Sequence, residues 1–459
     1  MNSERMNRRE LMQRVVGGAA AALGASALEA AGAPDKPPRP NLLVVFADQQ
    51  HWEAVGCRNR FYRTPHLDKL AAEGVLFDRA FCNTPQCSPT RSSILTGLVP
   101  TKTGVMGNIG AAGGQPLKMN TVAAHLKAAG YRTGYFGKWH VGNRDEPRAG
   151  WDEALFRTND AAAVKGAVAF IKSQDPSAGK PFALFVSIND PHDVYHFRPG
   201  RKDVSKLNVP LSESWQKETF EGKPAIHKQF MTDNQGRKIW GRPRAVWQEY
   251  RDFYREKVAL YDACVGEVLG ALSAKGLAGG TVVIATSDHG DMETHHRLIF
   301  KGPFMYEHMV RVPLIVRVPP ALGGGKARRT DWPAMHVDLT PTLLDLAGAK
   351  AIDCDGVTLR PLLTGEGRMP DRPYVIGQYY GKQRWVNPIR MIRTDRYKYN
   401  RYIGHGEELY DLKADPHELH NLAGRAKHEK VRKDLRAELD KWIAANDDPF
   451  DSLKTAGRP

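Results

Sequence analysis

Leu42-Leu43-Val44-Val45-Phe46-Ala47 is an unbroken apolar run that ends abruptly at Asp48-Gln49. A run apolar at every position, and not at alternate ones, leaves no side for water. It therefore reads as a strand of a parallel sheet covered on both faces. Three more runs end the same way. Phe182 to Ile188 passes into Asn189-Asp190-Pro191-His192, and Val282 to Ser287 into Asp288-His289-Gly290. The shorter run Tyr131 to Phe136 passes into Gly137-Lys138-Trp139-His140. Ligands of open α/β sheets bind outside the carboxyl ends of the strands. The four polar endings are thus expected on one rim, although they lie far apart in the chain. Between the runs come helical segments. One starts at Thr64-Pro65 and one covers Thr121 to Ala129. A long one runs from about Gln248 to Lys275, with Tyr254, Val258, Tyr261, Val265, Val268 and Leu272 at three- and four-residue spacing. This alternation predicts an α/β fold: a mainly parallel central sheet sandwiched by helices.

A second stretch bears on chemistry. In Cys87-Ser88-Pro89-Thr90-Arg91, Ser88 suits a helix N-cap and Pro89 the first helical position, and Gly97 suits the stop. Cys87 is then expected on the loop feeding a short helix, beside free N–H groups that suit an anion. Arg91 follows one turn in. An ordinary helix start with a buried cysteine accounts for the same residues.

The stretch resembles the signature of the sulfatases, Cys-x-Pro-x-Arg followed by a short run ending in Thr-Gly. The resemblance continues through Asp288-His289-Gly290-Asp291 and Lys301. It extends to Glu408-Leu409-Tyr410-Asp411-Leu412 with the Asp-Pro, Glu and Asn-Leu that follow. It implies that a formylglycine-generating enzyme oxidises Cys87 to formylglycine, an aldehyde whose hydrate is the nucleophile. Asp48, Gln49, Asp288 and His289 would hold a divalent cation together with the group at residue 87. Lys138 and Lys301 would clamp the sulfate oxygens, and Arg91 would stabilise the nucleophile's oxygen. His192 would act as general acid on the departing alcohol and His140 would take the second hydroxyl proton, with the two roles open to exchange. An oxygen-rich donor set suits Ca²⁺, with Mg²⁺, Mn²⁺ or Zn²⁺ as alternatives. Gln49 stands where related sulfatases mostly carry a second aspartate. Asp-Gln and Asp-His pairs also occur in phosphonate monoester and phosphodiester hydrolases of the same superfamily, which is the second reading. A glycan-binding protein that keeps the fold without catalysis is the third.

The chain has 459 residues, with 66 Lys+Arg against 51 Asp+Glu and a net charge of +15. Such a surface attracts polyanions. No zinc-finger spacing, RNA-binding signature or long basic run points to nucleic acid, and a sulfated carbohydrate substrate fits the same charge. Residues 1–33 carry Arg8-Arg9, an alanine-rich apolar run and small-residue cleavage sites, so they read as a bacterial twin-arginine export signal. Residues 34–40 read as a linker, and no second stretch is suited to membrane insertion. A periplasmic or extracellular protein is expected.

The catalytic domain is expected over 41–368. Within it, 193–247 is an irregular insertion that could wall the pocket. A small α+β subdomain, an antiparallel sheet plus helix, is expected over 369–459. His196 and His227 are expected as solvated loop histidines. His295 and His296 face either the pocket or solvent, and His405 is a further pocket candidate. Cys264 falls in a core stripe, and no spacing dictates a pairing of the other cysteines or an oligomeric state.

Overall fold

The computed structural model describes residues 39–142, 150–156, 159–206 and 208–458. The expected export signal, and all of the expected linker except its last two residues, lie outside them. The first strand, β1 (Asn41–Asp48), is followed in the chain by β2 (Val75–Phe77), β3 (Ala80–Phe81), β4 (Arg132–Gly137) and β5 (Glu153–Phe156). Then come β6 (Phe182–Pro191), β7 (Thr281–Ser287), β8 (Leu314–Arg317), β9 (Arg328–Thr330) and β10 (Ala334–Met335). Eight of these form one sheet in the order β5-β4-β6-β1-β7-β8-β2-β9, and β3 pairs with β10 apart from it. From β5 to β7 every pairing is parallel. Only β8 runs against its neighbours β7 and β2.

The apolar run of β1 is continuous because both faces of the strand are covered. Leu43, Val45 and Ala47 pack with Val164, Phe170, Val265 and Val268 from the helices Asp160–Lys172 and Arg244–Ala274. Leu42, Val44 and Phe46 face the opposite core, with Ile94, Leu126 and Leu343. Each such side chain, fully buried, contributes about 1.5–3 kcal/mol. The chain builds β2 on one side of β1, then β4 to β6 on the other, then returns to set β7 beside β1. This puts a topological switch at the carboxyl end of β1, flanked by the same ends of β4, β6 and β7.

Gly137 closes β4 at φ 116°, and a Cβ there would lie 1.9 Å from the Ser187 carbonyl oxygen. Only glycine lets the strand turn this close to β6. The turn sets the Lys138 N–H on that same oxygen at 3.1 Å.

Two local expectations are corrected. Cys87 does not sit on the loop before its helix: the helix is Cys87–Thr96, with Gln86 in extended conformation as N-cap. The Ser88 hydroxyl accepts from the Ile109 N–H, and the Ser88 N–H donates to Asn108 Oδ1, so a distant loop supplies the partners that a capping serine would offer. Gly97 is the left-handed stop, at φ 74°. The second correction concerns 193–247. It is not irregular throughout: it contains the helices Glu213–Lys217 and Ala225–Asp233 and the short 3-10 turn Gln235–Lys238, pieces too brief to show sustained periodicity. His227 is not solvated. It is fully buried, 3.1 Å from the hydroxyls of both Tyr306 and Tyr402. His196 is exposed.

The chain ends in a four-stranded antiparallel sheet, β11 (Val375–Lys382), β12 (Trp385–Arg393), β13 (Tyr397–Tyr402) and β14 (Gly406–Asp411). Alternation decides its faces. Ile376, Ile392, Tyr399 and Leu409 meet Leu439 and Ile443 of the helix Glu429–Ala445. Val375, Tyr379, Ile389 and Met391 join the main core. From Arg39 onward the chain is one compact unit. All five cysteines are free thiols. Among the described residues no helix is long and apolar enough to cross a membrane.

Candidate active site

The four strand ends meet. Asp48 ends β1, Asp288 and His289 follow β7, Lys138 follows β4, and His192 follows β6. The first turn of the helix Cys87–Thr96 reaches over the same rim. Cys87 Sγ lies 3.6 Å from Asp48 Oδ1, 3.3 Å from His289 Nε2, 2.8 Å from Lys301 Nζ and 4.0 Å from Lys138 Nζ. Asp48, Cys87, Asp288 and His289 each offer one ligand atom, all within 4.8 Å of one another, and all four residues are buried. Gln49 adds a fifth donor. Its Oε1 accepts from Lys301 Nζ at 2.9 Å, and its Nε2 donates to Asp291 Oδ2 at 2.6 Å. Gln49 holds φ 79°, a left-handed value that costs a non-glycine residue of order 1 kcal/mol or more.

Arg91 fixes the two carboxylates. Its Nε donates to Asp288 Oδ2 at 2.9 Å, and its terminal nitrogens donate to Asp48 Oδ2, the Lys138 carbonyl and Ser187 Oγ. With these donors engaged, Arg91 ties four strands, β1, β4, β6 and β7, together. Lys138 Nζ lies 2.6 Å from Asp48 Oδ2. The inner oxygens, Oδ1 of both aspartates, are the ones turned to the common point. Asp288 Oδ1 also takes the N–H groups of Gln49 and His289. His289 Nδ1 lies 2.9 Å from the Gly290 carbonyl, which can only accept. Nδ1 therefore carries a proton and Nε2 is the nitrogen facing Cys87; burial lowers the imidazole, but Asp288 outweighs it and raises the ring above its ordinary pKa.

The electrostatics follow from this crowding. Burial would raise the Asp48 carboxyl, but Lys138, Lys301 and Arg91 outweigh it and hold the group well below the usual range. Burial and the Asp48 charge instead raise Asp288. Burial and Asp48 push the Cys87 thiol up, yet Lys138, Lys301 and His289 prevail and lower it well below the ordinary value. Burial lowers Lys301, but Cys87 and Asp48 reverse the sign, so the ammonium stays charged. Burial, then Lys138, keeps His192 neutral. Two aspartates, an amide oxygen, an imidazole nitrogen and the atom at residue 87 suit a divalent cation in number, charge and convergence. The buried cations beside them suit an anionic substrate.

Two adjoining hollows open on this centre. One, of about 320 Å³, has Cys87, Lys301 and Asn108 on its walls. The other, of about 450 Å³, is lined by Lys138, Trp139, Phe156 and Asn189. His140, His192 and Tyr195 line both. Tyr195 and Gln235 come from the 193–247 insertion, which therefore contributes to the wall. His295, His296 and His405 line neither hollow. His295 stacks on His308, His296 bonds Glu218, and His405 bonds Asn387.

Lys382, which no motif in the sequence singles out, also lines the Cys87 hollow. It ends β11, is buried, and donates to the Lys301 carbonyl and the Tyr195 hydroxyl. Burial, then Lys301, lowers it well below the usual lysine range. No local signal marks it: it sits in an ordinary alternating strand, far from the rim in sequence. Asp291 stands out in the sequence only as part of a motif, yet it holds the Gln49 amide.

Comparison with known proteins is consistent with this geometry. The Sulfatase family model matches residues 40–349, and a second model, "N-sulphoglucosamine sulphohydrolase, C-terminal", matches 295–445. The chain is 31% identical to a Delta 4,5-hexuronate-2-O-sulfatase of Bacteroides thetaiotaomicron, covering 92% of each. It is 29% identical to an ulvan-active sulfatase of Formosa agariphila, covering 91% of this chain and 84% of the relative. A solved 2-O GAG sulfatase superposes with a TM-score of 0.79 at 26% identity, over 92% of this chain and 95% of the other. The phosphonate monoester hydrolase of Agrobacterium radiobacter shares the fold, with a TM-score of 0.73 at 22% identity, over 92% of this chain and all of the other.

Proposed function

The chain belongs to the sulfatase family and is a sulfuric ester hydrolase, and from that premise we propose that it removes sulfate from a sulfated carbohydrate by way of Cys87 converted to formylglycine. The observation that carries the reading is the convergence of Cys87 Sγ with Lys301, His289 and Asp48 at the floor of an open cleft. The family implies a divalent cation and the Cys87 modification, and the donor set fits both. Asp48, Gln49, Asp288 and His289 would hold the cation, Ca²⁺ by the predominance of oxygen donors. When bound, it neutralises charge on the sulfate and lowers the pKa of the nucleophile's hydroxyl, while the formylglycine hydrate supplies that hydroxyl.

The chain's own residues do the rest. Lys301 and Lys138 bind non-bridging sulfate oxygens as point charges, already desolvated and held at the point of attack. His192, on the cleft wall, would protonate the leaving alcohol as an imidazolium, the form that the negative charge of a bound sulfate ester favours where burial and Lys138 otherwise keep the ring neutral. His140, on the same wall, is set to take a proton from the group at residue 87. The two can exchange roles. Arg91 is a positioning residue here. The family resemblance gave it contact with the nucleophile's oxygen, but its donors point to Asp48, Asp288, Ser187 and the Lys138 carbonyl.

The carbohydrate substrate is supported by the relatives that act on hexuronate sulfate and ulvan and by the net charge of +15. Export to the periplasm or beyond, through the paired arginines of residues 1–33, belongs to the same reading. The phosphonate alternative draws on Gln49 and His289, whereas the likeness to a phosphonate hydrolase, at 22% identity, speaks for the fold alone. One preparation tests these together. Protein made with the formylglycine-generating enzyme is digested, and the peptide carrying residue 87 is weighed. The intact enzyme is then given sulfated uronate and hexosamine saccharides and a phenylphosphonate ester in parallel. An aldehyde at residue 87 with sulfate release is expected. An intact thiol, with the modifying enzyme active on a control peptide, removes the nucleophile. Dominant phosphonate turnover replaces the sulfated sugar.

A further inference from the structure

A second group of metal-ligating side chains lies outside the active centre. Glu53 follows β1, while His295 and His308 lie on the segment after β7, and a nitrogen of each imidazole and a Glu53 oxygen fall within 4.8 Å of one another. His308 Nε2 is 3.3 Å from Glu53 Oε2, the ligand-to-ligand spacing of a tetrahedral ion with bonds of about 2.0–2.1 Å. The His295 and His308 rings are stacked, with centroids 3.4 Å apart and planes 20° from parallel.

An observation beyond proximity points to a ligand. His295 is 5% exposed, and its Nε2 has no hydrogen-bond partner, while its Nδ1 faces Ser214 Oγ at 3.3 Å. A buried imidazole nitrogen without a partner costs free energy unless something accepts its lone pair. The neighbouring His51 is already committed: its Nδ1 accepts from the Glu53 N–H, and its Nε2 lies 2.9 Å from Glu293 Oε2.

We infer that Glu53, His295 and His308 form a second metal site, for Zn²⁺ or an ion of similar preference, which clips the loop after β1 to the loop after β7. Two imidazoles and one carboxylate suit Zn²⁺ better than a purely oxygen-seeking cation. The two loops it would join carry Gln49 on one side and His289 and Lys301 on the other. The second loop needs restraint, because Glu293, Thr294, His296, Arg297 and Phe300 all hold positive φ between 39° and 76°. Residues so strained persist only where their surroundings over-determine them. The site stands independently of the reaction assigned above.

The test titrates Zn²⁺, and Co²⁺ as a visible-absorbing substitute, into the full chain freed of metal. It compares wild type with Glu53→Gln, His308→Ala and Asp288→Asn, reading bound metal per chain and thermal midpoint. Glu53 is half-buried at the surface, so its isosteric amide keeps the fold even where His308→Ala does not. Wild type and Asp288→Asn should each keep a tight Zn²⁺ that raises the midpoint. Glu53→Gln and His308→Ala should each bind one Zn²⁺ fewer per chain than wild type, the lost site weakened at least about a hundredfold, the upper end of what losing even an outer partner costs. Equal binding by all four proteins, absence of a tight Zn²⁺ in wild type, or loss in Asp288→Asn alone would each overturn the inference.

Discussion

Lys301 Nζ stands 2.8 Å from Cys87 Sγ and 2.9 Å from Gln49 Oε1, joining residue 87 to the proposed cation ligands through one buried ammonium. Because it is desolvated and held in place, this charge meets a sulfate oxygen without reorganisation. Lys301→Met keeps the bulk and removes the charge. The expected result is a fall in kcat of about 10²–10³-fold, the cost of losing one preorganised donor, with an unchanged circular dichroism spectrum. Steady-state kinetics on a sulfated saccharide or an aryl sulfate reads it. A loss confined to KM would mean that Lys301 binds substrate and transition state equally and does not favour the transition state.

Gln49 is an amide for a reason visible behind it. Its Nε2 donates to Asp291 Oδ2 at 2.6 Å, so a carboxylate here would face another carboxylate. Gln49→Glu should therefore lose about 1–3 kcal/mol of stability, even though it adds a charged cation ligand. Asp291→Asn restores a donor opposite the introduced carboxylate, so the double variant Gln49→Glu/Asp291→Asn should recover most of the loss. Urea unfolding of the four proteins gives the coupling directly. Additive losses would show that the pair does not explain the amide.

Arg91 compensates two buried carboxylates at once, with salt bridges of 3.0 Å to Asp48 and 2.9 Å to Asp288. Arg91→Ala leaves that charge to Lys138 and Lys301 alone and should destabilise the cation-free protein by about 3–5 kcal/mol, the cost of breaking a buried pair. Added Ca²⁺ should return part of it, because a cation bound among the same carboxylates stabilises only the folded state. Arg91→Lys keeps one charge but cannot reach Asp288, Asp48, Ser187 and the Lys138 carbonyl together. It should lose more activity than stability. Thermal midpoints with and without Ca²⁺, beside kcat, separate the two effects.

How far the sequence reveals this arrangement depends on where each partner comes from. Asp48, Lys138, His192 and Asp288 are legible because each ends an apolar run, and parallel strands bring such ends to one rim. Cys87 is legible as part of a motif. Its place as first helical residue is not, since the groups satisfying Gln86 and Ser88 come from Asn108 and Ile109 on a separate loop. Lys382 reaches the cleft only because the C-terminal sheet packs against the loop of Lys301. His227 misleads for the same reason: its polar, basic surroundings in sequence say nothing of Tyr306 and Tyr402, which bury it.

That burial makes His227 a measurable source of acid sensitivity. Burial lowers its pKa from 6.5 to about 4, with Lys223 and His405 acting in the same direction and Glu408 and Glu218 opposing. The other groups against it are the Tyr306 and Tyr402 hydroxyls and the Phe304 ring. A base with a depressed folded pKa stays neutral in the native state, while the unfolded chain takes up the proton. Stability is therefore complete above pH 6.5 and falls as the pH drops from there towards 4, by up to about 3 kcal/mol at 1.36 kcal/mol per unit. Substitution by Gln keeps a polar group between the two tyrosines but does not titrate. His227→Gln should start less stable at about pH 7.5 and lose less between about pH 6.5 and 4.5, so the two stability curves converge on acidification. Urea midpoints at half-unit pH steps test it, and curves that stay parallel would assign the acid sensitivity to other groups.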